Sequence, residues 1–116
     1  MIDDEVDYCQ IMKSFFTKRN YEVFISYNLK DGLQLLETVQ PDILFLDNNL
    51  PDGQGFGYVD TIVEKYPHLK IYMISAYYKK GDLFYSSPNI FVWEKPLSMS
   101  LLNSTFSNQE HNSAQG

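Results

Sequence analysis

The chain has a single cysteine, Cys9, so it can form no internal disulfide, and a lone thiol suits a reducing compartment. Cations are scarce: nine Lys and Arg stand against fifteen Asp and Glu, for a net charge of −6. The only basic doublets are Lys18-Arg19 and Lys79-Lys80. Gripping nucleic acid through its phosphates needs clusters of Lys and Arg, so no direct nucleic-acid binding is expected. No apolar run approaches the roughly 20 residues of a membrane span and no signal-peptide pattern opens the chain, so no membrane partner and a cytoplasmic location are expected. There are two histidines, His68 beside a proline and His111 in a polar C-terminal stretch, and neither is a credible metal ligand or base. Glycines are few, and the cluster Gly53, Gly55, Gly57 lacks the G-x-x-G step of a dinucleotide loop and has Pro51 where the tight turn should form. Cys9 has no nearby histidine in sequence, which favours a packing role over a reactive thiol.

What the chain does have is apolar material: 44% hydrophobic and 16% aromatic residues, ample for one packed core in 116 residues. The pattern alternates strand and helix. Met1-Ile2 reads as a short strand, and Val6, Ile11, Met12, Phe15 and Phe16 recur at helical spacing. Tyr21 to Tyr27, rich in aromatic and β-branched residues, reads as a strand. Asn28 reads as the cap of a helix carrying Leu29, Leu33, Leu36 and Val39. Ile43-Leu44-Phe45-Leu46 is a buried strand, Val59 to Tyr66 a helix, Ile71 to Ile74 and Ile90 to Trp93 further strands. Gly81 and Pro88 leave room for only a short or irregular helix between Tyr77 and Asn89, and Leu97 to Phe106 suits a final helix. The expectation is one α/β domain over residues 1–106, with a doubly wound parallel sheet covered on both faces, followed by a polar tail or linker over 107–116.

Four of these strands end at a polar group: Asp3-Asp4-Glu5, Asp47, Ser75, and Glu94-Lys95. Open parallel sheets bind ligands beyond the carboxyl ends of their strands, so these residues are expected to converge. Asp47, directly after four apolar residues, is half desolvated; it suits a nucleophile that forms an acyl phosphate, or simply a turn cap before Leu50-Pro51-Asp52-Gly53. Asp3 and Asp4 suit hard-cation binding, Mg²⁺ above all, or the N-cap of the first helix. Lys95 needs a negative partner, and Pro96 permits a cis peptide that would turn the ammonium back over the strand ends. Ser75 offers a small hydroxyl.

Together, Ile2-Asp3-Asp4-Glu5, Leu46-Asp47 with Leu50-Pro51-Asp52 and Gly55, Ser75-Ala76 and Lys95-Pro96 resemble the receiver domain of two-component response regulators, in order and near-family spacing. The resemblance implies a flavodoxin-like five-stranded parallel sheet of order 2-1-3-4-5. It implies a phosphorylatable switch in a phosphorelay, with Asp47 as phosphoacceptor from a sensor histidine kinase or phosphotransfer protein. It further implies Mg²⁺ held by Asp3, Asp4, Asp47 and the backbone carbonyl of Asn49, with Lys95 on the phosphoryl group and Ser75 as the switch hydroxyl. Asn49 and Tyr77 are the expected modulators, Tyr77 by shielding the acyl phosphate. Such a domain turns over only its own phosphoryl group and is otherwise no enzyme. A homodimer or effector contact is expected on the 77–106 face, where Tyr77, Tyr78, Phe84 and Tyr85 suit either a partner surface or the core. Two rivals stand beside this reading. One is a phosphorylation-independent interaction module; the other is a Mg²⁺-dependent aspartate-nucleophile phosphatase, against which Asn49 counts because those enzymes carry a carboxylate there. The chain departs from the family in three places. The first strand is three or four apolar residues short, which predicts low stability or completion of the sheet by a partner. Val92 replaces the switching aromatic, and the segment from Ser75 to Lys95 is slightly short.

Overall fold

The computed structural model describes residues 1–76 and 87–106. Four helices, α1 (Val6–Thr17), α2 (Leu29–Val39), α3 (Val59–Lys65) and α4 (Met99–Thr105), flank a parallel sheet of β1 (Ile43–Asp47), β4 (Lys70–Ser75) and β5 (Ile90–Glu94). A small antiparallel pair, β2 (Asn49–Leu50) and β3 (Gly53–Gln54), closes the turn after β1, and a 3₁₀ turn over Gly55–Tyr58 leads into α3.

The sheet extends past β1. The Ile2 amide donates to the Phe45 carbonyl at 2.8 Å and the Asp47 amide donates to the Ile2 carbonyl at 2.9 Å. On the other side, Ser26 N–H donates to the Met1 carbonyl at 2.9 Å and Asp3 N–H donates to the Ser26 carbonyl at 3.0 Å. The spatial order is therefore the Ser26 segment, Ile2, β1, β4, β5, which is chain order 2-1-3-4-5 with every pairing parallel. The five-stranded order holds, with the first strand as short as the sequence implies and the strand expected over Tyr21–Tyr27 reduced to a single bridge at Ser26. The Tyr21 to Tyr27 stretch has strand composition, but Met1-Ile2 offers too little backbone for it to pair along its length, and β-propensity acts only where cross-strand neighbours exist.

Side chains alternate cleanly between two faces. Leu44 and Leu46 of β1 join Ile71 and Met73 of β4 in one cluster with Ile2, Leu29, Leu36, Val59 and Ile62, beneath α2 and α3. Phe45, Tyr72 and Ile74 join Met12, Phe15, Phe16, Leu102 and Phe106 on the opposite face, beneath α1 and α4. Register makes the second face an aromatic ladder: Tyr72 lies between Phe45 and Phe91, with centroids 5.0 and 4.7 Å away. Val92 belongs to the aliphatic face, so Phe91 and Trp93 supply the aromatics of β5. Val6 and Ile11 do not belong to the core stripe of α1: they are 53% and 59% exposed, and Cys9, Met12, Phe15 and Phe16 face inward instead.

Helix ends follow the residues at them. The Asn28 side chain accepts from Asp31 N–H at 2.8 Å, and Ser98 accepts from Leu101 N–H at 3.3 Å. The irregular helix expected between Tyr77 and Asn89 falls mostly outside the described residues, as do Tyr77, Tyr78, Phe84, Tyr85 and the 107–116 tail.

Candidate functional site

The parallel strands end together, and their terminal polar residues meet. Asp3 follows the Ile2 bridge, Asp47 closes β1 and Ser75 closes β4; all three are buried. Lys95 follows β5 and is turned inward at a Lys95-Pro96 peptide that is cis. Its Nζ lies 2.8 Å from Asp3 Oδ2, 2.8 Å from Glu5 Oε1 and 3.6 Å from Asp47 Oδ1. It also sits 5.0 Å from the Tyr8 ring centroid, within cation–π reach. Ligand oxygens of Asp3, Asp4 and Asp47 all lie within 4.8 Å of one another.

Each carboxylate is positioned by its backbone surroundings. Asp3 Oδ1 accepts from Glu5 N–H at 2.9 Å at the entry to α1, where Glu5 is the capping position. Asp3 thus serves both readings offered by the sequence, bracing the helix entry with one oxygen and facing the cluster with the other. Oδ2 is buried and faces the Lys95 ammonium at 2.8 Å as an ion pair. Cys9 donates its S–H to the Asp3 carbonyl at 3.3 Å, so the thiol braces the same turn. Burial pushes that thiol up to about 11, with the Asp3 charge adding to the effect, so the group is not a ready thiolate.

The turn after Asp47 is held tightly. The Asn48 side chain accepts from Phe56 N–H at 3.1 Å, and Asn49 pairs with Gln54 across β2 and β3. Gly55 lies so close that a Cβ there would stand 2.1 Å from the Asp47 carbonyl oxygen, which only glycine permits. Asp52, at the tip of this turn, accepts from Leu29 N–H at 2.7 Å and Lys30 N–H at 2.9 Å, tying the loop to the first turn of α2.

Electrostatics follow from burial. Desolvation, reinforced by the Asp3 charge and opposed by Lys95, pushes Asp47 up to about 6. Desolvation also raises Asp3, against its hydrogen bonds from Lys95 and Glu5. Burial alone would push the Lys95 ammonium down, but Asp3, Glu5 and Asp47 outweigh it and hold Lys95 above its ordinary value.

These geometries have counterparts in known proteins. The response regulator receiver domain family matches residues 1–85. The chain belongs to that family. The response regulator protein PilR of Pseudomonas aeruginosa is 29% identical over 77 residues, 66% of this chain and 17% of the relative, so the chain spans about a sixth of that protein's length. The signal receiver domain of a DNA-binding response regulator from Colwellia psychrerythraea superposes with a TM-score of 0.81 at 21% identity, covering 99% of this chain and 95% of its own. A response regulator protein from Burkholderia pseudomallei, solved with a phosphorylated aspartic acid, calcium ion and citrate, superposes with a TM-score of 0.73 at 18% identity, covering 98% and 69%. The receiver fold is therefore the flavodoxin-like one, and receiver domains are the phosphorylatable switches of two-component signalling.

In this receiver domain, Asp3, Asp4, Asp47 and Lys95 come together, with Ser75 buried at the neighbouring strand end. Tyr77 lies outside the described residues. Glu5 and Tyr8 were not singled out from the sequence as contacts of Lys95. Glu5 had a signal, an acid adjoining Asp3-Asp4, but helix-end electrostatics explained it equally well; Tyr8 had none.

Proposed function

We propose that Asp47 is the phosphoacceptor of this receiver domain. The carrying observation is a buried carboxylate whose Oδ1 lies 3.6 Å from the Lys95 ammonium, within 4.8 Å of the Asp3 and Asp4 oxygens. In the transfer, an Asp47 carboxylate oxygen attacks the phosphorus of a phosphohistidine. The P–N bond breaks, its electron pair stays on the imidazole, and an acyl phosphate forms on Asp47. With its acid form favoured only up to about pH 6, Asp47 is mostly ionised at neutral pH and so competent to attack. Lys95 balances charge on the transferred group, and the Ser75 hydroxyl accommodates a phosphoryl oxygen once the adduct exists, drawing the β4–β5 end inward.

The donor set fits Mg²⁺: hard oxygens from Asp3, Asp4 and Asp47 within 4.8 Å of one another, with the Asn49 carbonyl as a further candidate ligand. A bound Mg²⁺ would neutralise the crowded carboxylates and the phosphoryl oxygens. The partners are a sensor histidine kinase or phosphotransfer protein on the input side, and an effector or second copy through the 77–106 face on the output side. Tyr77 shields the acyl phosphate, the domain turns over no substrate beyond its own phosphoryl group, and it works in the cytoplasm. The phosphorylated aspartic acid of the Burkholderia pseudomallei protein supports the same chemistry here.

Intact-protein mass after incubation with acetyl phosphate tests this reading. A single phosphoryl adduct that requires Mg²⁺ and is absent from Asp47→Asn is expected. A folded, Mg²⁺-binding protein that takes no adduct would overturn it.

A further inference from the structure

Lys95 has a carboxylate partner that the transfer chemistry does not use. Its ammonium donates to Glu5 Oε1 at 2.8 Å and pairs with Asp3 Oδ2 at 2.8 Å, while Asp47 Oδ1 stands at 3.6 Å. Charge-assisted bonds of this kind run to about 2.9 Å, so the contact with Asp47 is too long for a hydrogen bond. The Tyr8 ring, 5.0 Å from Nζ, occupies a further side of the ammonium. The cation that must balance charge on the phosphoryl group is therefore committed elsewhere in the resting domain.

The two engaged partners differ in how readily they let go. The Asp3 side chain is fully buried, and parting it from its cation would strand a charge away from water. The Glu5 side chain is 61% exposed, so water can replace the ammonium at little cost. Glu5 can also release Lys95 without moving its backbone. Its N–H donates to Asp3 Oδ1 at 2.9 Å and its carbonyl accepts from Cys9 N–H at 3.0 Å. Although Glu5 occupies the N-cap of α1, its side chain makes no capping bond. The turn and the helix start thus rest on Asp3 and the main chain, and the Glu5 carboxylate is bonded to Lys95 alone among the described residues.

We propose that Glu5 is a positioning residue that restrains Lys95 and so sets how fast Asp47 accepts a phosphoryl group, an inference that rests on Asp47 being the phosphoacceptor. In the resting domain Glu5 holds the ammonium toward the exposed rim of the site. As a phosphoryl group arrives on Asp47, Lys95 keeps Asp3, leaves Glu5 and takes a phosphoryl oxygen in its place, and the Glu5 carboxylate turns out to water. Glu5 and the phosphoryl group compete for one cation. The contact therefore stabilises the unphosphorylated state alone and adds to the barrier for transfer. Its size is that of an exposed ion pair, about two- to fivefold in rate. Its sign is the reverse of that for Asp47 and Lys95: removing Glu5 speeds the transfer.

The test compares the parent with Glu5→Gln and Glu5→Asp in saturating Mg²⁺, with acetyl phosphate and the less charged phosphoramidate as donors. In each case an Asp47 oxygen attacks phosphorus, and acetate or ammonia leaves with the electron pair of the broken P–O or P–N bond. Glu5→Gln removes the charge, whereas Glu5→Asp keeps it on a side chain one methylene too short to hold Lys95. Intact-protein mass against time should show both variants phosphorylated about two- to fivefold faster than the parent, with either donor and at high salt as at low. In metal-free protein, the Lys95 ammonium protons should exchange with water faster in both variants. Unchanged ammonium exchange would mean that Glu5 does not hold Lys95, and would overturn the proposal. A gain in Glu5→Gln alone, or one that vanishes at high salt, would overturn it in favour of simple repulsion of an anionic donor. Equal rates in three proteins that all take the adduct would overturn it and leave Asp47 as the phosphoacceptor. No adduct on any of them would overturn both readings.

Discussion

Lys95 has three carboxylate partners, and they do not contribute equally. Glu5 is 61% exposed, so its ion pair is screened and contributes no more than about 1 kcal/mol. Asp3 is fully buried, and removing the ammonium would leave its charge uncompensated, a loss of about 3 kcal/mol or more. Asp47 sits farther off and is the least neutralised, consistent with its elevation to about 6 from an ordinary 3.8. The consequence has a definite sign. A carboxylate whose folded-state value is raised holds its proton longer in the native state, so stability falls as pH climbs from about 4 to about 6 and stays low above that. An elevation of that size is worth about 3 kcal/mol at most, shared with Asp3 and Lys95 because the three titrate together. In EDTA, Asp47→Asn should therefore unfold at higher urea than the parent at pH 7.5, with the two converging near pH 4. Parallel pH profiles for parent and variant would contradict this account. Convergence of Asp3, Asp47, Ser75 and Lys95 was legible in the sequence because each ends an apolar run in a fold whose strands all point one way. Glu5 and Tyr8 were illegible because ordinary solvated surface and helix electrostatics account for such residues without any site.

Helix α2 shows how an element can be legible in position while its anchoring is not. Asn28 marks its start in the sequence, and the side chain does cap Asp31 N–H. The second cap, Asp52 on Leu29 and Lys30, comes from 22 and 23 residues away, a relation that no local pattern carries. Gly32 is the third anchor. It lets α2 press onto the first strand so closely that a Cβ would stand 2.5 Å from Ile2 Cδ1 and 2.6 Å from Cγ1. In an unconstrained helix, Gly→Ala adds about 1 kcal/mol of stability. Here Gly32→Ala should destabilise, because Ile2 would have to leave a site where it is 2% exposed and where it bonds Phe45 and Asp47 of β1. Asn28→Ala, by contrast, should cost about 1 kcal/mol through the lost cap without disturbing Ile2. Urea melts should rank both below the parent, and hydrogen exchange at the Asp47 amide, which donates to Ile2, should accelerate in Gly32→Ala more than in Asn28→Ala. A Gly32→Ala variant more stable than the parent would remove Ile2 packing as the reason for this glycine. The Tyr21 to Tyr27 segment failed as a strand for a related reason: its composition is local, but its pairing depends on how much of Met1-Ile2 lies beside it.

At the scale of the whole molecule, the fold has two well-covered sheet faces and one weak seam. β1, β4 and β5 are paired over five consecutive positions at each junction and carry most of the apolar clusters on both faces. Among the described residues, the Tyr21–Ser26 segment is hydrogen-bonded into the sheet through Met1–Asp3 alone, while Tyr21 and Val23 pack against the Phe45–Tyr72 face. Loss of those bonds would open the seam without disturbing the β1–β4 ladder, so the domain should unfold in two layers rather than as a single unit. Native-state hydrogen exchange should place the Asp3, Ser26 and Asp47 amides in a low-energy opening, and the central β4 amides in the highest one. The midpoint of thermal unfolding should fall at or below about 45 °C, the low end for domains of ordinary organisms. The low stability expected from the short first strand is then a property of the seam rather than of the core. A phosphoryl group on Asp47 would act at this same place, since the Asp47 amide is bonded to Ile2 and Asp3 lies beside the acceptor. If the Asp3, Ser26 and β4 amides instead exchanged through one common opening, with a single sharp melt well above about 45 °C, Ile2 would be a sufficient first strand and the seam would not be a separate unit.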